Sequence, residues 1–69
     1  MSATATKARI QILIENEPHK RPLSDQELSE ILRETGILAA RRTVAKYRET
    51  LGIGSSSERR RMYRRNVDF

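Results

Sequence analysis

A chain of 69 residues hides too little surface to build more than one small core, so it holds one domain at most. Fourteen Lys and Arg against nine Asp and Glu leave a net charge of +5, which attracts polyanions at long range. With no cysteine and a single histidine, His19, the composition excludes a disulfide frame, a thiolate nucleophile and a cysteine- or histidine-based metal site, and no cofactor is expected.

The chain order of signals predicts an all-α fold, a small three-helix bundle over residues 1–54 followed by a flexible basic tail over 55–69. In TKARIQILIENE, Ile10, Leu13 and Ile14 follow the i, i+3, i+4 spacing of an amphipathic helix, flanked by Ala8 and Ile12. Pro18 pushes its predecessor out of the helical region, which sets this helix at about 7–16. After the connector PHKRP, the stretch LSDQELSEILRETGI opens with dense N-terminal signals. Ser24 and Glu27 spell a capping box, Asp25 and Glu27 complement the positive end of the helix dipole, and Leu23 can staple to Leu28. Leu28, Ile31 and Leu32 form the buried stripe, and Gly36 followed by Ile37 reads as a left-handed C-terminal cap, giving a second helix at about 25–35.

Only Gly36 to Ala39 then precede a third periodic segment, and so short a joint containing a glycine fits a helix-turn-helix. Ala40, Val44, Tyr47 and Leu51 share one face of that helix, about 40–51, and Gly52 with Ile53 repeats the Gly-Ile stop. Beyond Gly54 no apolar period continues, so Ser55 to Ser57 read as a linker and the arginine-rich remainder as a solvated tail with at most a transient turn around Glu58 to Arg61. A tail of that kind adds non-specific affinity for phosphates, and Arg59 within it is expected to act equally on all nucleic-acid sequences.

With Val44 at the centre of the buried face of the third helix, steps of about 100° put Arg42, Ala45, Lys46 and Glu49 opposite it, with Arg41 and Arg48 on the flanks. A basic face with a small residue in its middle suits the DNA major groove. A guanine offers two acceptors to one Arg or Lys, and an alanine allows close approach or contact with a thymine methyl. Glu49 could accept from a cytosine amino group or pair with Lys46 or Arg42. The plain alternative for this face is a solvated helix surface.

The ten residues ARRTVAKYRE, Ala40 to Glu49, resemble at every position the RpoN box, the signature decapeptide of the sigma-54 family of bacterial RNA polymerase sigma factors. The flanks PLSDQELSEILRE and LGIGSSSERRR are similar to the C-terminal domain of the same family, so the resemblance runs from about Ser2 to Arg61. It implies a three-helix domain whose helix-turn-helix binds the GG-containing minus-24 promoter element, with Arg41, Arg42, Ala45 and Lys46 in the major groove. It also implies double-stranded promoter DNA as partner, core RNA polymerase reached through the rest of a longer factor, and a bacterial cytoplasmic, nucleoid-associated setting. Phosphate contacts extend that reading to Thr43, Tyr47 and Arg48 on the third helix and to Arg21 and Ser24 at the start of the second, where backbone N–H groups attract an anion. Tyr47 is foremost a core aromatic with its hydroxyl at the edge.

Two departures from the family stand out: Gly54 occupies a common proline position, so the exit from the third helix should be looser, and MYRRNVDF matches nothing. The chain is expected to be an excised domain, with Met1 supplied at its start. It lacks an apolar leader or a long apolar run and is expected to be soluble and intracellular. A monomer should suffice, since no heptad seam is present.

Glu15, Glu17, Asp25, Glu27, Glu30 and Glu34 read as helix-surface and cap carboxylates. None of them pairs with a base or a nucleophile, and His19 reads as a solvated loop residue, so no enzyme is expected. Two other classes compete with DNA reading. One is a protein interaction module docking the basic third helix on an acidic surface of polymerase or of an activator. The other is an RNA adaptor, disfavoured by the lack of exposed aromatic pairs for stacking.

Overall fold

The computed structural model describes residues 2–67, and the readings of Met1, Asp68 and Phe69 lie outside them. Four helices follow in order: α1 (Ala3–Glu15), α2 (Asp25–Glu34), α3 (Arg41–Thr50) and α4 (Ser56–Val67). No strand occurs among the described residues, in line with the all-α expectation.

The start of α1 lies upstream of the expected position because Ser2 is an N-cap, its Oγ accepting the Ala5 N–H at 3.2 Å. Its end is where proline placed it: Asn16 closes the helix with both its backbone N–H and its side chain donating to the Ile12 carbonyl. The capping box of α2 forms in full, Ser24 Oγ accepting the Glu27 N–H while the Glu27 carboxylate accepts the Ser24 N–H. At the C-termini of α2 and α3, Gly36 (φ 86°) and Gly52 (φ 75°) take the left-handed conformation. The Ile37 and Ile53 N–H groups then reach back to the Leu32 and Arg48 carbonyls, completing two Schellman motifs.

The apolar stripes of α1, α2 and α3 meet in one cluster of Ile10, Ile14, Leu28, Leu32, Ile37 and Val44, with Leu13, Leu23, Ala39, Tyr47 and Ile53 packed on its edges. Each fully buried aliphatic side chain contributes about 1.5–3 kcal/mol of transfer free energy. Ile31 is half-buried where the stripe of α2 predicted burial, and Ala40 is exposed because α3 begins one residue later than periodicity suggested and Ala40 becomes its N-cap.

The segment read as linker and flexible tail is helical, and this corrects the sequence expectation. Ser55 and Glu58 make a second capping box: the Ser55 N–H donates to the Glu58 carboxylate at 2.9 Å and the Glu58 N–H to Ser55 Oγ at 3.2 Å. These bonds hold the Glu58 carboxyl below its usual range. Arg59, one turn on, is 2 % exposed and inserts its guanidinium between α4 and the α1–α2 connector. Its Nε and Nη2 donate to the Glu17 carboxylate at 2.7 and 2.9 Å, Nη2 also to the Leu23 carbonyl and Nη1 to the Gly54 carbonyl. Tyr63 donates its hydroxyl at 2.6 Å to Glu17 Oε2, the oxygen that also accepts from Arg59 Nε, and its ring stacks on His19 at 4.0 Å.

Glu17 is therefore no surface carboxylate and Arg59 is no free phosphate ligand; each needs the other to be buried at tolerable cost. Burial alone would raise the Glu17 pKa, but bonds from Arg59, Tyr63 and the Leu23 N–H outweigh it and hold the carboxyl below its ordinary value. Burial together with the bond to Glu17 raises the Tyr63 phenol.

Candidate nucleic-acid interface

What aims α3 is the joint before it. Ser29 on α2 donates its hydroxyl to the Ala39 carbonyl, tying the last loop residues to the middle of α2, and Val44 inserts into the core with no exposed surface. These two contacts fix both the start of α3 and its rotation about its axis. Its outward arc then carries Arg42, Lys46 and Glu49, all exposed, around the half-exposed Ala45, with Arg41 exposed at the first turn.

Among the described residues, Arg41, Arg42 and Lys46 have no ion-pair partner. Glu49 pairs with neither Lys46 nor Arg42, so the three cations keep their charge unneutralised. The N-cap of α3, Ala40, makes no side-chain bond, which leaves the first-turn N–H groups at the positive end of the helix dipole without a side-chain acceptor. The arrangement is a rigid basic ridge with a shallow centre at Ala45, able to accept an anion or a row of hydrogen-bond acceptors.

The residues expected on phosphates are placed unequally. Arg21 is open to solvent beside the first turn of α2, 3.4 Å from Glu27. Ser24 is nearby, but its hydroxyl serves the capping box. Thr43 is half-buried, and Tyr47 packs its ring on the core with Lys7 Nζ 5.6 Å from the ring centre. Among the described residues the Tyr47 hydroxyl forms no hydrogen bond, so it stays available at the edge.

Arg48 departs from the expectation. It is 7 % exposed, with Nε and Nη2 donating to the two oxygens of Asp25 at 3.0 and 3.2 Å and Nη1 to the Ile53 carbonyl at 2.9 Å. Three of its donors lock the end of α3 to the start of α2, a structural task that the sequence expectation did not assign to it. The signal was present in the sequence: four steps beyond Val44 place Arg48 about 40° from the centre of the buried face. Nothing local announced Asp25 as its partner, and nothing announced the Ser29 bond to Ala39.

The family described as "Sigma-54, DNA binding domain" matches residues 1–61. The chain is 54 % identical over 61 residues to an RNA polymerase sigma-54 factor of Pseudomonas putida, covering 88 % of this chain and 12 % of that protein. It is 56 % identical over 61 residues to the factor of Azotobacter vinelandii, again 88 % of this chain and 12 % of the relative. A putative sigma-54 factor of Clostridium kluyveri is 48 % identical over 61 residues, 88 % of this chain and 14 % of the relative. The chain thus spans about an eighth of the length of these curated relatives.

Proposed function

The chain belongs to the sigma-54 DNA-binding domain family, and on that premise we propose that it reads the GG-containing minus-24 element of promoter DNA with α3 in the major groove. The observation that carries the reading is the arc of Arg41, Arg42 and Lys46 around Ala45, exposed and unpaired among the described residues. Arg42 and Lys46 lie four residues apart on that arc and supply donors to guanine O6 and N7, while Ala45 lets the helix settle close to the base edges. Arg41 and the uncapped start of α3 address a base or the adjoining phosphate. Arg21, Thr43 and the Tyr47 hydroxyl supply phosphate contacts that set register along the duplex. Arg48 acts one step back, by holding α3 against α2.

The domain itself performs no chemistry: it positions, and core RNA polymerase is engaged by other parts of a longer factor in the bacterial cytoplasm, at the nucleoid. One copy suffices for a short asymmetric element. Replacing each guanine of the element in turn by 7-deazaguanine removes a major-groove acceptor and leaves base pairing intact. Affinity should fall about tenfold at the guanines that are read, and unchanged affinity at every guanine would move the protein-docking reading ahead.

A further inference from the structure

We propose that the outer face of α4 is a second phosphate-binding surface, which grips the DNA backbone outside the bases read by α3. The inference rests on the DNA-binding reading above and extends it to a segment that the family match only partly covers, since the match ends at Arg61 and α4 continues to Val67.

Rotation about α4 divides its side chains cleanly. Arg59 and Tyr63, four residues apart, point to the body of the domain and are held there by Glu17. Steps of about 100° from Arg59 place Arg60, Arg61, Arg64 and Arg65 together on the opposite arc. All four are exposed, and none is in an ion pair among the described residues. Glu58 is the one acidic side chain described on this helix, and it is bound into the capping box. Four guanidinium groups on one rigid rod are a strong local source of positive potential.

The place of the anchor favours a duplex as occupant. Arg59 donates to the Leu23 carbonyl, immediately before the Ser24 cap of α2, and Arg21 stands at the same corner. This is the end of α2 expected to meet the sugar-phosphate backbone when α3 lies in the groove. The bonds of Arg59 and Tyr63 also fix α4 before any ligand arrives, so little ordering entropy opposes its contacts. The molecule measures 40 Å along its longest axis, equal to about twelve base pairs at 3.4 Å per step. A domain of that length can touch backbone beyond a short recognition element.

The test is fluorescence anisotropy of the intact chain and of the double variant Arg64→Ala/Arg65→Ala on a GG duplex carrying about ten extra base pairs on each side, from 50 to 200 mM salt. Both substituted positions lie on the solvent arc, and circular dichroism should give the same melting curve for both proteins. Two lost phosphate contacts should lower the slope of log affinity against log salt by about 1.8, so that the native chain loses roughly twelvefold more affinity across that range than the variant. The preference for GG over a duplex with both G·C pairs replaced should not change. An unaltered salt slope with GG preference intact would overturn the α4 proposal alone and leave its arginines for an acidic protein surface. Absence of GG preference in the native chain would instead strike at the reading by α3, and a reduced slope in the variant would still support the α4 contact.

Discussion

Substituting Glu17 by Gln removes one charge and one acceptor oxygen from a site that uses both. The carboxylate accepts four hydrogen bonds: from the Leu23 N–H at 2.9 Å, from Arg59 Nε and Nη2 at 2.7 and 2.9 Å, and from the Tyr63 hydroxyl at 2.6 Å. Exposure of the two paired side chains is 0 % for Glu17 and 2 % for Arg59, so water cannot substitute. A glutamine amide turns its NH2 toward two of those donors and leaves the Arg59 charge buried without a counter-charge. Breaking such a pair costs about 3 to 5 kcal/mol, against a total stability of roughly 3 to 10 kcal/mol for a domain of this size. Thermal melts by circular dichroism should therefore drop by about 12 °C or more, or α4 should detach first and exchange its amide hydrogens faster over Ser56–Val67 while the three-helix body holds. The pH dependence gives a second arm. Because folding holds the Glu17 carboxyl below its ordinary value, its contribution is complete above the unfolded carboxylate range, about 4.3, and is lost as pH falls through the folded value. The gap between native and variant melting temperatures should thus narrow below about pH 4. A variant melting within about 2 °C of the native chain at pH 7, with α4 protection unchanged, would refute the assignment of Arg59 and Glu17 as a structural pair.

Other substitutions separate the reading face from its supports. Arg48→Met removes the bonds to Asp25 and Ile53 and should cost about 1 to 3 kcal/mol in chemical denaturation, without changing the salt slope of DNA binding while the domain is folded. A slope lower by about one with unaltered stability would return Arg48 to the phosphates. Arg42→Ala should leave the melt unchanged and reduce discrimination at a single guanine by about 1 to 3 kcal/mol, read by competition between duplexes differing at that pair; a uniform loss across all sequences would reassign Arg42 to the backbone. Gly36→Ala meets nothing within 4 Å, so its expected cost of about 1 to 2 kcal/mol comes from the left-handed φ of 86° alone, and a neutral result by denaturant titration would contradict that account.

The parts of this fold that could be read from sequence are those where local chemistry decides. The Ser24–Glu27 capping box, the proline stop after α1 and the two Gly-Ile terminators each act through neighbours a few residues away, and all appear in the structure as read. The stripes of Ile10, Leu28 and Val44 found the core because burial follows the helical period. Ser55-x-x-Glu58 carries the same capping signal as Ser24-x-x-Glu27, and the absence of an apolar stripe after it hid α4. That helix is fixed by a polar cluster, and the partners Glu17 and Arg59 are separated by 42 positions, which no local pattern encodes. The same limit applies to Arg48: its angle about α3 was computable, whereas its match with Asp25 depends on how two helices pack. Of the basic surface, Arg42 and Lys46 came directly from period and charge, because an outward position needs no partner to be identified, whereas period left Arg41 on the flank and only the family resemblance placed it with them.

The central claim, that α3 reads bases, is met most directly by anisotropy of the chain on a short duplex carrying the GG element and on the same duplex with both G·C pairs replaced, each at two salt concentrations. Two guanine contacts at about 1 to 3 kcal/mol each predict a preference of at least tenfold that persists at the higher salt, because base contacts release few counterions. Equal binding to both duplexes, collapsing together as salt rises, would contradict it and leave Arg41, Arg42 and Lys46 as a basic surface without sequence readout.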